Sequence, residues 1–307
     1  LDAETGLGTI IIHVRRENRQ YVDLPTLLLT AIEERGFTSR NTKLLVAQSE
    51  VDSENIYVDV KEHSPHTLIA GSSGSGKGIL LQNLLFDICL SNHPDNAEIY
   101  LIDPKGEDFF YASKLPHFRT LDPNNQYKFI STQTTAIDLI EHLVHVMEER
   151  NSKQREHRFK YGNQKPLTFS HIWLVHDELE NWTVDKQYAN AINTNLSKLA
   201  QKGRSVQISL IIATQRPSNE VIDMKVRANL GNRLVLKVAD SNNSKIALGD
   251  QGASSDAKAE RLEGKGHILC ALANEPDLKR GQVPFLDPMS PHIVSLAEEI
   301  AVYWRDA

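Results

Sequence analysis

The stretch Thr67–Ile79, TLIAGSSGSGKGI, limits this chain more than any other. Thr67-Leu68-Ile69-Ala70 reads as a buried strand that stops at Gly71. Apolar residues then resume at helical spacing as Leu81, Leu84, Leu85 and Ile88. Strand, glycine-rich turn and helix are the context in which the pattern G-x-x-x-x-G-K, met by Gly71, Gly76 and Lys77, becomes a cradle for phosphate. Glycine admits positive φ, so successive N–H groups can point into one concavity, to which the helix N-terminus adds its positive dipole end. The expected phosphate-binding residues are Gly71, Ser72, Ser73, Gly74, Ser75, Gly76, Lys77, Gly78 and Ile79, with Lys77 on the β- and γ-phosphates. One position departs from the pattern. Where a Ser or Thr hydroxyl would ligate Mg2+, this chain has Gly78.

The 307 residues suffice for one large α/β domain with a substantial core, or for two smaller ones. The first residue is Leu1 rather than Met, which suggests a piece of a longer protein. No apolar run approaches membrane-spanning length and no signal-peptide pattern opens the chain, so any membrane segment of the parent is expected outside it. Cys89 and Cys270 are far apart in apolar contexts and read as buried thiols of a reducing compartment. A net charge of −6 does not advertise nucleic-acid binding and does not exclude it, because binding needs positive charge only where the partner sits.

Apolar runs at 9–14, 43–48, 56–60, 98–102, 171–176, 207–213 and 233–238 read as strands. Helices are expected over 25–35 (capped by Gly36), 136–160, 187–202 and 291–305. This alternation predicts an α/β fold with a mainly parallel sheet covered by helices on both faces. Residues 1–62 would edge the main sheet, 63–290 form the core and 291–307 a C-terminal helix. The basic tail of the long helix, ERNSKQREHRFKYGNQK, reads as a solvated face.

The strand Ile172–His176 ends in Asp177-Glu178. Adjacent carboxylates at a strand tip place Asp177 beside bound magnesium and Glu178 where it can polarise an attacking water. A strand ending in Asp-Glu is a weak signal alone, and it gains force about one hundred residues after a phosphate loop. His176, inside the apolar run, reads as a core histidine. Gln215, in Ile212-Ala213-Thr214-Gln215-Arg216-Pro217, is the candidate for sensing a γ-phosphate from a neighbouring strand tip.

These blocks, HTLIAGSSGSGKG, LIDPKG, LVHDE and GRSVQISLIIATQRPSNEVIDMKVRANLGNRLVLKV, with the later tract SKIALGDQGASSDAKAERLEGKGHILC, resemble the FtsK/SpoIIIE-type motor ATPases of the FtsK–HerA superfamily, in that family's order. The resemblance runs from about residue 9 to 285. It implies a RecA-like P-loop fold assembling into a hexameric ring. It also implies Lys77 as the phosphate-binding lysine, Asp177 as the magnesium-associated carboxylate, Glu178 as the catalytic glutamate and Gln215 as the sensor. Arg204 matches a basic position before the sensor strand and is the candidate finger reaching a neighbouring subunit's site, with Arg216 and Arg233 as competitors.

Gly78 leaves Mg2+ to phosphates, water and Asp177, which implies a slow or partner-dependent ATPase. Ser254-Ser255-Asp256-Ala257 lengthen a loop expected near the subunit interface, and a winged-helix DNA-reading module is not expected within the residues that follow Pro284 here. The activity the resemblance implies is ATP-driven translocation of double-stranded DNA by a cytoplasmic domain, whose parent protein can carry further N-terminal domains and a membrane anchor. A polypeptide-exporting ATPase of the type VII secretion kind, and a weakly hydrolysing ATP-gated switch in a DNA-defence or restriction complex, are the alternatives on the same fold.

Overall fold

The strand that enters the phosphate loop lies in the middle of a single sheet, and its neighbours carry the carboxylates. The structure, a computed structural model, describes residues 23–36, 39–162, 167–183, 186–218, 220–251 and 258–306. The strand expected at 9–14 and the Ser254–Ala257 tract lie outside them. In chain order the elements are α1 (Leu24–Arg35), β1 (Lys43–Ser49), β2 (Asn55–Asp59), β3 (Thr67–Ala70), α2 (Lys77–Ser91), β4 (Ala97–Ile102), α3 (Gln133–Tyr161) and β5 (His171–His176). There follow α4 (Glu180–Thr183), α5 (Lys186–Lys202), β6 (Ile208–Thr214), α6 (Met224–Asn229), β7 (Asn232–Val235), α7 (Ser241–Leu248), β8 (His267–Ala271), β9 (Lys279–Gln282) and α8 (His292–Asp306).

Among the described residues the sheet has nine strands, ordered β2-β1-β9-β8-β7-β3-β6-β5-β4. It corrects the expectation of a mainly parallel sheet. β7-β3-β6-β5-β4 is parallel, whereas β7-β8, β8-β9, β9-β1 and β1-β2 pair antiparallel. Strand–helix–strand alternation marks crossover units; it carries no sign of direction where strands return through turns, as β8 does into β9.

Both faces of the parallel half are covered, so its strands are apolar throughout: β3 and β6 are buried at every position. The pleat sends Trp173, Val175, Ile211 and Ala213 to one side, against α2, α1 and α8. Ile172, Leu174, Leu210 and Ile212 face the other side, against α3, α5 and α6. β2 alternates buried and half-buried, as a strand with one wet face should. α8 packs Ile293, Ala297, Ile300 and Trp304 into the α2 side, and the Trp304 indole donates to the Cys89 carbonyl at 2.7 Å. Both thiols are free and buried.

The hairpin edge is tied to the core by charge. Arg35 at the end of α1 forks onto Asp87 of α2 with two bonds of 2.8 Å, and Asp87 also accepts from the Leu45 N–H at 2.7 Å. α3 buries Ala136 through Met147, and beyond that point it is largely exposed, with Arg150 donating back to the Ser170 and Val206 carbonyls. No helix among the described residues is long and apolar enough to cross a membrane.

Candidate functional site: a phosphate loop beside two carboxylates

The loop from Gly71 to Gly76 is held by three strands. The Gly71 N–H donates to Thr214 O at 3.2 Å, at the tip of β6. Ser72 gives both its N–H and its hydroxyl to Lys237 O, at 2.8 and 2.9 Å, on the extended chain after β7. From β8's side the Gly266 N–H reaches Ser75 O at 2.7 Å. Gly74 and Gly76 have φ of +72° and +105°, which L side chains rarely adopt. A Cβ on Gly76 would stand 2.7 Å from the Gly266 nitrogen, so this glycine is required by space as well as by backbone angle. α2 begins at Lys77 with no side chain capping its first turn, and its N–H groups face the loop. Gly78 differs from its neighbours: a Cβ there meets no heavy atom within 4 Å.

β6 separates β3 from β5, so Gln215 and the Asp177-Glu178 pair emerge beside the loop at the carboxyl ends of adjacent strands. The Lys77 ammonium lies 2.6 Å from Asp177 Oδ1 and 2.8 Å from Glu178 Oε1, and Gln215 Nε2 donates to the same Glu178 oxygen at 2.8 Å. Four residues placed together by chemistry in the sequence are thus in mutual contact. Burial pulls the Lys77 pKa down, but the two carboxylates outweigh it and hold the ammonium above its usual range. Burial raises Asp177 although Lys77 opposes it, whereas for Glu178 the bonds from Lys77 and Gln215 outweigh burial and lower it. Glu178 adopts φ +48°, an uncommon left-handed conformation for a glutamate, fixed by the Leu179 N–H on Ala213 O at 3.2 Å. His176 is a core histidine, bonded through Nδ1 to the Asp177 carbonyl and pushed down to about 4 by burial.

Two of the three arginine candidates are not gathered here. Arg204 sits before β6, at the opposite end of the strands, donating to Lys61 O at 2.9 Å. Arg233 is spent on the Ile246, Ala247 and Arg227 carbonyls. Arg216 is exposed and follows Gln215 directly.

The model of the FtsK/SpoIIIE family matches residues 27–171. The chain is 27% identical over 298 residues to a DNA translocase FtsK of Borreliella burgdorferi, covering 96% of this chain and 36% of that protein. It is 29% identical over 275 residues to another of Chlamydia pneumoniae, covering 82% and 32%. The chain is similar to the FtsK/SpoIIIE proteins. It spans about a third of the length of these curated relatives. Solved structures agree on the fold. The pCW3 conjugation coupling protein TcpA, in a monomer form with ATPgS, has a TM-score of 0.61 at 24% identity, over 86% of this chain and 72% of that one. The cytoplasmic domain of the type VII secretion ATPase EccC of Thermomonospora curvata gives 0.68 at 21%, over 93% and 34%.

No group of three or more His, Cys, Asp or Glu side chains among the described residues is arranged to hold a metal alone. The donors do fit a hard, strongly hydrated cation that takes one carboxylate, Asp177, and fills its other positions with phosphate oxygens and water. Two residues had no role at the level of sequence. Asp103 is buried with Oδ2 unpartnered, and burial, with Asp177 beside it, raises its pKa. Lys105 follows it, with its ammonium 3.7 Å from Glu178 Oε1. In the sequence both stand within LIDPKG, where a buried strand stops at polar residues.

Proposed function

We propose that this chain binds and hydrolyses ATP at the loop and uses the turnover to move double-stranded DNA, as one subunit of a hexameric ring working in the cytoplasm. The observation that carries the reading is the contact set Lys77, Asp177, Glu178 and Gln215 at the mouth of the loop, in a chain similar over nearly its whole length to DNA translocases.

The chemistry follows from the residues. Loop N–H groups and the α2 N-terminus bind the phosphates of ATP. The triphosphate competes with both carboxylates for the Lys77 ammonium, and Lys77 turning to the β- and γ-phosphates frees them. Mg2+, held by Asp177, phosphate oxygens and water, would neutralise charge on the transferred phosphoryl group. Glu178 takes a proton from the attacking water, a new O–P bond forms at the γ-phosphorus, and the bond to the bridging oxygen breaks with ADP leaving. Gln215, bonded to Glu178 and next to the β6 tip, links that carboxylate to the strand whose Thr214 holds Gly71, so a change at the γ-phosphate reaches both.

Arg204, at the far end of the strands, suits a role in a neighbouring subunit's site, and the ring is the arrangement that would bring it there. DNA contacts would be largely to phosphate and therefore salt-sensitive and indifferent to sequence. The test is ATP hydrolysis with magnesium, with and without long duplex DNA, at low and moderate salt. Stimulation that fades as salt rises is expected. ATP turnover that DNA leaves unchanged and a signal polypeptide raises would overturn the choice of substrate.

A further inference from the structure

Lys105 lies on a turn that the proposed hydrolysis does not use. Ile102 of β4 is paired with His176 of β5 in a parallel ladder, so Asp103 and Asp177 leave the sheet at the same level. The Asp177 N–H donates to Ile102 O at 2.9 Å and ties the two exits together. Beyond Asp103 the chain turns sharply and is fixed from several sides. Asp103 Oδ1 accepts from the Lys105 N–H at 3.1 Å, and the Asp103 N–H donates to Ile130 O at 2.8 Å. Gly106 has φ +68°, and a Cβ there would press on the Phe129 ring at 3.3 Å. A turn held this way restricts where the Lys105 side chain can go.

Its ammonium lies beside an oxygen that is already crowded. Glu178 Oε1 has Lys77 at 2.8 Å, Gln215 at 2.8 Å and Lys105 at 3.7 Å, while Oε2 is buried without a partner. Lys77 already divides its three donors between Asp177 and this oxygen, and turning to the β- and γ-phosphates draws it away from Oε1. Once phosphate takes Lys77, the donors left to Oε1 are Gln215 and Lys105, and Lys105 has slack to close from 3.7 Å to hydrogen-bond distance. The Lys105 side chain is 44% exposed, so its charge is screened by water, and its value lies in fixing direction.

We propose that Lys105 is a positioning residue for Glu178: it replaces Lys77 on Oε1 when Lys77 engages the phosphates, and together with Gln215 it leaves Oε2 turned toward the attacking water. This rests on the reading of Glu178 as the proton acceptor in ATP hydrolysis. It differs from a phosphate-binding role, because Lys105 acts through the carboxylate and adds nothing to nucleotide affinity.

The experiment is a mutant cycle on the whole chain, checked for folding by thermal melting. Lys105→Ala should lower turnover about tenfold or more, the cost of a misplaced reacting group, with affinity for a fluorescent ATPγS analogue unchanged. Lys105→Arg should restore most of the rate. In a Glu178→Gln background, Lys105→Ala should cost nothing further, since its effect passes through Glu178. Independent, multiplying losses overturn the proposal, and so does a loss of nucleotide affinity matching the loss of rate. A structure with ATPγS tests it without turnover: Lys105 should lie on Glu178 Oε1 with Lys77 on the phosphates, and Lys105 on a phosphate or in solvent overturns it. Failure of the wild-type chain to bind ATP at all would instead overturn the functional reading.

Discussion

Gly266 and Gly76 touch through their backbones. The Gly266 N–H donates to Ser75 O at 2.7 Å, and the same nitrogen is 2.7 Å from where a Gly76 Cβ would stand. The antiparallel half of the sheet therefore braces the phosphate loop from behind, through the turn that enters β8. Gly76→Ala should cost on the order of 1–3 kcal/mol for its +105° φ alone and force the two backbones apart. Denaturant unfolding and ATPγS titration together check this. Nucleotide affinity should fall steeply in any Gly76→Ala protein that still folds, and retained affinity would show that the brace is not needed.

Gly78 should behave in the opposite way. It lies in the first turn of α2 with open space where a Cβ would go. Gly78→Ala should therefore stabilise the chain by about 0.4–1 kcal/mol, by restricting the unfolded state. Gly78→Ser adds the missing hydroxyl at the same site, and the magnesium concentration giving half-maximal ATP turnover should fall by roughly tenfold. An unchanged magnesium requirement would show that the cation is held without help from this position.

The parts of the site that sequence exposed are those where local chemistry is unusual. Glycines around a lysine, and two carboxylates at the end of an apolar strand, stand out because a buried strand has no other use for them. Strand existence was legible for the same reason at β3, β5 and β6, whose burial on both faces leaves continuous apolar runs. β9, Lys-Arg-Gly-Gln, has no such run, yet it sits between β8 and β1. It is placed there by tertiary packing, with Gly281 pressed so close to Gln48 O that a Cβ would come within 2.6 Å. The antiparallel half was illegible because direction is a property of pairing. Lys105 was quoted within a motif without a role, since its meeting with Glu178 depends on the β4–β5 register.

Arg35 and Asp87 should anchor the edge hairpin. Their side chains are nearly excluded from solvent, at 5% and 0% exposed, with both oxygens of the carboxylate in use. Removing one partner strands the other charge in the interior, so Arg35→Met should destabilise by about 3–5 kcal/mol. Replacing both, Arg35→Met with Asp87→Leu, should recover part of that loss, held back by the Leu45 N–H that Asp87 also satisfies. Urea midpoints of the three proteins decide it. A double variant no better than the single one would mean that the bond to Leu45 matters more than the ion pair.

Acid should begin to weaken the fold as pH falls below about 6.5. His66 and His117 are buried in neutral form, and burial pushes both down to about 4 from an ordinary 6.5. Their partners suit the neutral ring: His66 Nδ1 accepts from the Leu210 N–H at 3.0 Å, and His117 Nε2 donates to the Asn92 carbonyl at 2.7 Å. Between these pKa values the unfolded chain takes up protons that the folded chain refuses. The stability they contribute is fully present above pH 6.5 and is lost as pH falls toward 4, by at most about 1.4 kcal/mol per pH unit for each histidine. His117→Gln keeps a donor for the Asn92 carbonyl and removes one titrating proton. Unfolding free energy measured between pH 6.5 and 4.5 should therefore fall less steeply in His117→Gln than in the wild-type chain, by up to one proton's share of the slope. Parallel slopes in the two proteins would mean that His117 takes up its proton without unfolding, through local opening beside Asn92.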